Sequence, residues 1–448
     1  MGDPREDVGS AVDAGVVYVF PPNDSVNGLT SAGSIAITEA TLHVTPHSGD
    51  EFGASVLQAD TNGDGNPDLI VGAPGRNSGS GAVYVIRATS DGTSFDFAHR
   101  HVIEQGFDGI SGSSEAGDHF GASLEVGHTD MVPWFAIGVP DEDVGATDDA
   151  GDVVVMPLDL GPGSVTLYAG HCAPGTPQAG DHFGAAMSPL LYSLAVGLPG
   201  HNVGAAAGAG QVDLLGPKGP PGHGGFPCGG TEQVIVQGSG GVPDSPGAGN
   251  AFGSALTEGT GGNLVIGAPM EDVGNAVDAG TVTVLPLEGA GQFREFTPGV
   301  FMPGRRQSYA HFGAALYGPG NLSFFAGAPG ADVGAAKAAG QVYAFELNTG
   351  TLGYDGADTT LLDESSLHQG ISAGDGFGAV IGVGLGHGPA FGIPHKQIGS
   401  VPDAGEVAFS NGFTPGQSMI VQRFVQGRDG VPGTAEHGDE MGRALPPD

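Results

Sequence analysis

The chain has 448 residues with 85 Gly and 33 Pro, too many backbone breakers for long helices, yet its hydrophobic fraction of 39% is enough to fill a core. Lys and Arg total 13 against 50 Asp and Glu, a formal charge of −37 that repels polyanions and argues against a nucleic-acid partner. No apolar run reaches the ~20 residues of a membrane-spanning helix, so no membrane span is expected, and MGDPREDVGS has neither the charged nor the apolar region of a signal peptide.

In chain order, residues 16–20 and 35–42 read as strands, and a unit that recurs then begins at Phe52. In its first copy FGASVLQA alternates, DLIVGAP is a buried apolar run, GAVYVI is rich in β-branched residues, and RHVIEQ closes the unit, so each copy reads as four short strands. Phe-Gly returns at Phe120, Phe183, Phe252, Phe312 and Phe377, with Met441-Gly442 in the same context, at successive spacings of 68, 63, 69, 60, 65 and 64 residues. A Gly-x-Pro follows each of the six Phe-Gly pairs, at Gly72, Gly138, Gly197, Gly267, Gly327 and Gly392. The seventh copy is split, because residues 2–20 align without a gap on residues 267–285.

Seven four-stranded units predict an all-β fold: a seven-bladed β-propeller with four-stranded antiparallel blades, one blade shared between the N- and C-terminal ends. The expected organisation is one domain over 1–448, with repeats starting near 52, 120, 183, 252, 312 and 377 and a composite blade from 436–448 plus 2–44. In four repeats 12 or 13 residues separate Phe-Gly from Gly-x-Pro, whereas the two chain ends together supply seven. The second strand of the composite blade is therefore expected to lie upstream of Gly2 in a longer natural polypeptide.

Phe-Gly followed by Gly-Ala-Pro, with an Asp-rich loop between them, resembles the FG-GAP repeat of the integrin α-subunit head. The DAG segments with lead-ins such as VPGTAEHGD are similar to secreted FG-GAP proteins of actinobacteria. The resemblance implies a propeller, calcium in the hairpin between the first two strands of some blades, a protein or glycan ligand on the opposite face, and a secreted, extracellular location.

The loop DTNGDGNPD spaces Asp60, Asn62, Asp64, the Asn66 carbonyl and Asp68 at positions 1, 3, 5, 7 and 9. Alternate residues of a tight loop turn their oxygens inward, and Ca2+ takes six to eight hard oxygens at ~2.3–2.6 Å. Strands flank the loop and no Glu closes it, unlike an EF-hand. The competing reading is an acidic hairpin turn without an ion. The corresponding turns of the other repeats, such as VGHTDMVPW, SPLLYS and YGPGN, lack alternating carboxylates, so one structural calcium is expected.

A second element, DVGxxxDAG, follows Gly-x-Pro: Asp7 with Asp13, Asp143 with Asp149, and Asp272 with Asp278, while Asp332 keeps the first acid alone and Asn202 replaces it. Asp7, Asp143, Asp272 and Asp332 are candidate ligand-binding residues on an acidic face. The alternative is that each caps its own turn through backbone N–H groups, which repetition favours. Asp50, Asp118, Asp181, Asp375 and Asp439, two residues before Phe-Gly or its equivalent, read as turn formers. His119, His182 and His311 directly precede Phe-Gly and are expected to stand well apart, one per blade, rather than bind a metal. Trp134 and Tyr192 are candidate sugar-stacking residues that read better as blade packing.

Cys172 and Cys228 fall in connections expected at opposite ends of the blades, against a disulfide. No GxSxG elbow, Walker loop or CxxC is present. The expectation is a secreted, non-enzymatic, calcium-binding adhesion or ligand-binding module. The alternative is a carbohydrate-binding propeller, either a lectin or a polysaccharide-processing enzyme.

Overall fold

The computed structural model describes the chain except residues 24–27, 108, 130–131, 191–192, 218–227, 260–261, 287–292, 320–322, 349–352, 385–387, 411–412, 414–420 and 448. Its regular structure is nearly all β. The second sheet sets the pattern: Ser55–Ala59, Asp68–Ala73, Ala82–Ala88 and Phe95–Ile103 pair in sequence order, each antiparallel to the next. Six further sheets begin at Gly2–Asp3, Ser123–Thr129, Met187–Leu190, Ala255–Gly259, Leu316–Tyr317 and Val380–Val383. The fold is thus all-β, of the seven-bladed β-propeller class. The first sheet has three strands, Gly2–Asp3, Val16–Val19 and Ile35–Ile37, and the third gains a short parallel strand, Cys172–Ala173.

Two compact units partition the chain. One comprises Gly2–Val17 and Ile37–Val236, the other Met1, Tyr18–Ala36 and Gln237–Asp448. In the first, Leu57, Ile70, Val83 and Val85 of the second sheet pack against Phe120, Phe135 and Ile137 of the third. In the other, Val265 and Val282 of the fifth sheet meet Phe312, Phe324 and Phe345 of the sixth. Each fully buried large side chain of this kind contributes ~1.5–3 kcal/mol.

The spacing of Phe-Gly and Gly-x-Pro has a steric cause. Within a sheet, Gly53 N–H donates to Gly72 O at 2.9 Å and Gly121 N–H to Gly138 O at 3.1 Å. Toward the next sheet, a Cβ on Gly72 would overlap the carbonyl oxygen of Gly121, and a Cβ on Gly81 would overlap Phe120 O. The Phe-Gly backbone of one repeat therefore lies directly on the Gly-x-Pro glycine and the third-strand glycine of the repeat before it, an approach that only glycine permits. Phe52, Phe120, Phe183, Phe252, Phe312, Phe377 and Met441 are all buried. Met441 bridges Gly405 in parallel as Phe120 bridges Gly81, so Met441 takes the Phe position of its repeat.

The structure corrects two expectations. Residues 35–42 are not one strand: Ile35–Ile37 is followed by a 3-10 turn, Glu39–Leu42, because Thr38 and Thr41 form a reciprocal capping box. Asp363 and Ser366 do the same ahead of Glu364–Leu367. Cys172 and Cys228 are paired, with Cα atoms 4.6 Å apart. A tight reversal at Tyr168–His171 brings Cys172 back beside the strand it has just left, toward Gln211–Pro217 and Gly229–Ile235, where Cys228 lies.

Candidate metal centre

The loop between Ser55–Ala59 and Asp68–Ala73 is wound on Asp60. Asp60 Oδ1 accepts the N–H groups of Asn62, Gly63 and Asp64 at 3.2, 2.7 and 3.2 Å, and Oδ2 accepts Gly65 N–H at 2.8 Å. The Gly65 bond, with the other three, holds the Asp60 carboxyl below its usual pKa. Asn62 Oδ1 then accepts Asp64 N–H and Asp64 Oδ1 accepts Asn66 N–H, each at 2.8 Å, so the chain advances by successive Asx turns. Asp68 stands behind the loop, buried: Oδ2 accepts Thr61 N–H at 3.0 Å and the Thr61 hydroxyl, and Oδ1 accepts Ala88 N–H at 2.8 Å. All of these side-chain donors are oxygen, and Asp60, Asn62 and Asp64 occupy alternate steps of one loop. The set fits a hard cation.

The DVGxxxDAG loops resolve into one local device. Asp7 Oδ1 accepts Asp13 N–H at 3.0 Å, Asp143 accepts Asp149 N–H at 2.9 Å, Asp272 accepts Asp278 N–H at 2.9 Å and Asp332 accepts Ala338 N–H at 3.1 Å; Asn202 repeats the bond to Gly208 at 2.9 Å. The accepting residue lies six positions before a residue with positive φ, and a small bridge such as Val8 with Ala11 closes the loop between them. One oxygen of each candidate ligand-binding acid is thereby committed to its own turn, and Asp332 also pairs with Lys337. The acids before Phe-Gly are turn formers likewise: Asp50, Asp118 and Asp181 accept the N–H three residues earlier at 2.7–2.8 Å. Asp375 instead receives Lys396 Nζ at 2.6 Å.

The histidines depart from expectation. His119 and His182 are not well apart: their Nδ1 atoms lie 2.6 and 2.7 Å from the two oxygens of Asp141. That hydrogen bond raises both imidazole pKa values, and the two histidines in turn hold Asp141 low against the effect of burial. Nothing in the His119 or His182 triplets signals this, since Asp141 is supplied by the Gly-x-Pro turn of the intervening repeat. Trp134 is fully buried in the core between the third and fourth sheets, as blade packing requires. Tyr192 lies outside the described residues.

The fourth residue after the Gly-x-Pro glycine is Arg76, Glu142, Glu271 and Lys396 in four repeats, half-buried in the first two and buried in the others, and it is His201 and buried Ala331 in two more. Arg76 Nη1 lies 2.7 Å from Glu39 and 3.6 Å from Asp50, and Lys396 Nζ lies 2.8 Å from Glu364. At the same place Glu142 accepts from Gln105 Nε2 at 3.0 Å, and Glu271 accepts from Gln237 Nε2 and Thr281 Oγ1 at 2.6 Å each. Burial pushes Glu142 up to about 7 and Glu271 up to about 8. Around Glu271 the sequence reading missed a triad: oxygens of Asp244, Glu271 and Glu295 lie within 4.8 Å of one another. Burial, then the charge of Asp244, raises Glu295 to about 7. Beside it, Arg294, Glu295, Phe296, Thr297, Val300, Phe301, Asp355 and Gly356 line a cavity of about 410 Å³, with Phe301 88% exposed.

Among the described residues, no helix is long and apolar enough to cross a membrane. The FG-GAP repeat family model matches residues 52–86, from the first Phe-Gly through the Asp60–Asp68 loop to the third strand of the same sheet.

Proposed function

We propose that the chain is a secreted, non-enzymatic, calcium-binding module for adhesion or ligand binding. The observation that carries this reading is the Asp60 loop: an oxygen-only donor set on alternate residues, within the segment that matches the FG-GAP repeat. Asp60, Asn62, Asp64, the Asn66 carbonyl and Asp68 would hold Ca2+, which supplies positive charge that offsets their mutual repulsion and ties the hairpin to its strands. The Cys172–Cys228 disulfide supports an extracellular location. A protein or glycan partner is proposed for the ends of the blades that carry the DVGxxxDAG loops.

The test is thermal unfolding of the parent and of Asp64→Ala, with EDTA and then with calcium restored. The expected result is a fall in Tm that calcium reverses in the parent, with a clearly smaller fall and recovery in the variant. Equal Tm values with EDTA and with calcium in the parent would refute the staple. The cavity beside Phe301 favours one second reading, a carbohydrate-binding propeller, because an exposed aromatic ring next to polar side chains suits a sugar face. Glycan-array binding that is lost in Phe301→Ala would support it, and binding to immobilised proteins alone would support adhesion.

A further inference from the structure

The repeats provide an internal reference against which the acidic triad stands out. Three repeats share a lead-in, QGFDGISG, QGSGGVPD and QGRDGVPG, beginning at Gln105, Gln237 and Gln426. The eighth position is Gly112 and Gly433 in two of them, at φ +107° and +91°, and Asp244 in the third, at φ +61°. An acid thus occupies a left-handed position that glycine fills elsewhere. Strand register gives a second departure. Glu295 lies opposite Thr283, and the corresponding residue is Val102 opposite Tyr84, Thr166 opposite Val154, Leu361 opposite Tyr343 and Arg423 opposite Ala408. A third is the reverse exchange, because Asn250 stands where the other two lead-ins place Asp118 and Asp439.

Both added acids converge on Glu271, and among the described residues no ion pair joins any of the three to a basic side chain. Glu271 Oε2 is already oriented by Gln237 and Thr281, and Asn250 Nδ2 fixes Gln237 through a bond of 2.9 Å to its Oε1. A separate observation points to a missing ligand. Thr283 is 1% exposed on the strand face that carries Thr281, directly across from Glu295, and its Oγ1 has no hydrogen-bond partner. Glu295 Oε2, shut off from water, has none either. Such orphaned polar atoms beside three clustered carboxyl groups are costly unless something fills the space. In the seventh sheet the corresponding layer is neutralised by Lys396.

We propose that Asp244, Glu271 and Glu295 form a second cation site, separate from the Asp60 loop, that takes a hard divalent cation of the Ca2+ class. The donors are all oxygen, three carboxylates supply up to six of them, and no imidazole or thiolate is present to favour zinc. Asp244 is exposed and gives the ion its entry, while Glu271 and Glu295 form the inner wall.

The test is calorimetric titration of chelator-treated protein with CaCl2, using the parent, Asp64→Ala, Asp244→Asn, Glu295→Gln and the double variant Asp64→Ala/Asp244→Asn, with folding verified by circular dichroism. Two ions per chain in the parent, one in each single variant and none in the double variant are expected. Asp244 is exposed, so its variant tests the site without a folding defect. A folded Asp64→Ala that binds no calcium would overturn the proposal, as would one whose remaining ion survives Asp244→Asn. If Asp64→Ala binds as the parent does while Asp244→Asn loses an ion, the triad stands and the loop reading fails.

Discussion

Two kinds of polar layer occupy one backbone position. Where the residue is Arg76 or Lys396, the preceding repeat contributes Glu39 or Glu364 from a capped 3-10 turn, with Asp50 or Asp375 as a second acid. Where the residue is Glu142 or Glu271, the preceding repeat contributes Gln105 or Gln237 from the lead-in that starts at that glutamine. The lesson is that these four repeats share a place for a polar group without sharing its sign, while Ala331 fills the same position with an apolar side chain. The sign is settled pairwise: a cation is matched by acids, an acid by an amide donor, because an unmatched buried charge costs several kcal/mol.

The comparison breaks most severely if a cation is removed. Lys396→Met leaves Glu364 and Asp375 buried without compensation, and a loss of ~3–5 kcal/mol is expected in denaturant unfolding. Gln105→Leu removes a single donor from Glu142, and the loss expected is ~1–3 kcal/mol.

The pH dependence sharpens the contrast. Burial raises Glu142 from 4.5 to about 7, so the folded state holds its proton more tightly than the unfolded chain. Its contribution is fully present below pH 4.5 and is lost as the pH rises toward 7 and beyond. Glu142→Gln should flatten the decline in stability between pH 5 and 8, which unfolding at a series of pH values would reveal; an unchanged slope would count against a titrating Glu142. The smallest effect belongs to His119→Gln, because His119 is more than a third exposed and its pair with Asp141 is expected to contribute under ~1 kcal/mol. Its sign is still definite. Both histidine pKa values are raised, so the contribution is fully present below pH 6.5 and lost as the pH climbs through the folded values. The stability difference between parent and His119→Gln should therefore vanish at alkaline pH.

Much of the fold was legible because a propeller blade is made of local pairings. Apolar second strands, alternating third strands and glycines at fixed intervals mark each sheet, and the DVGxxxDAG acids cap turns within nine residues. The hairpin turn at Asp60 was legible for the same reason, its hydrogen bonds all lying within nine consecutive residues. The 3-10 turns were missed although TEAT and DESS are capping-box sequences, since TLHV and TTLL beside them carry β-forming residues.

The sequence by itself determined the period, the strands and the glycines, because steric approach and hydrogen-bond pairing act over short separations. It could not determine what meets across repeats. The bracketing of Asp141 by two histidines, the Cys172–Cys228 pair and the Asp244–Glu271–Glu295 triad each join residues 20 or more positions apart along at least one link. Which side chains face one another there is set by how one sheet stacks on the next, and only the tertiary structure decides it.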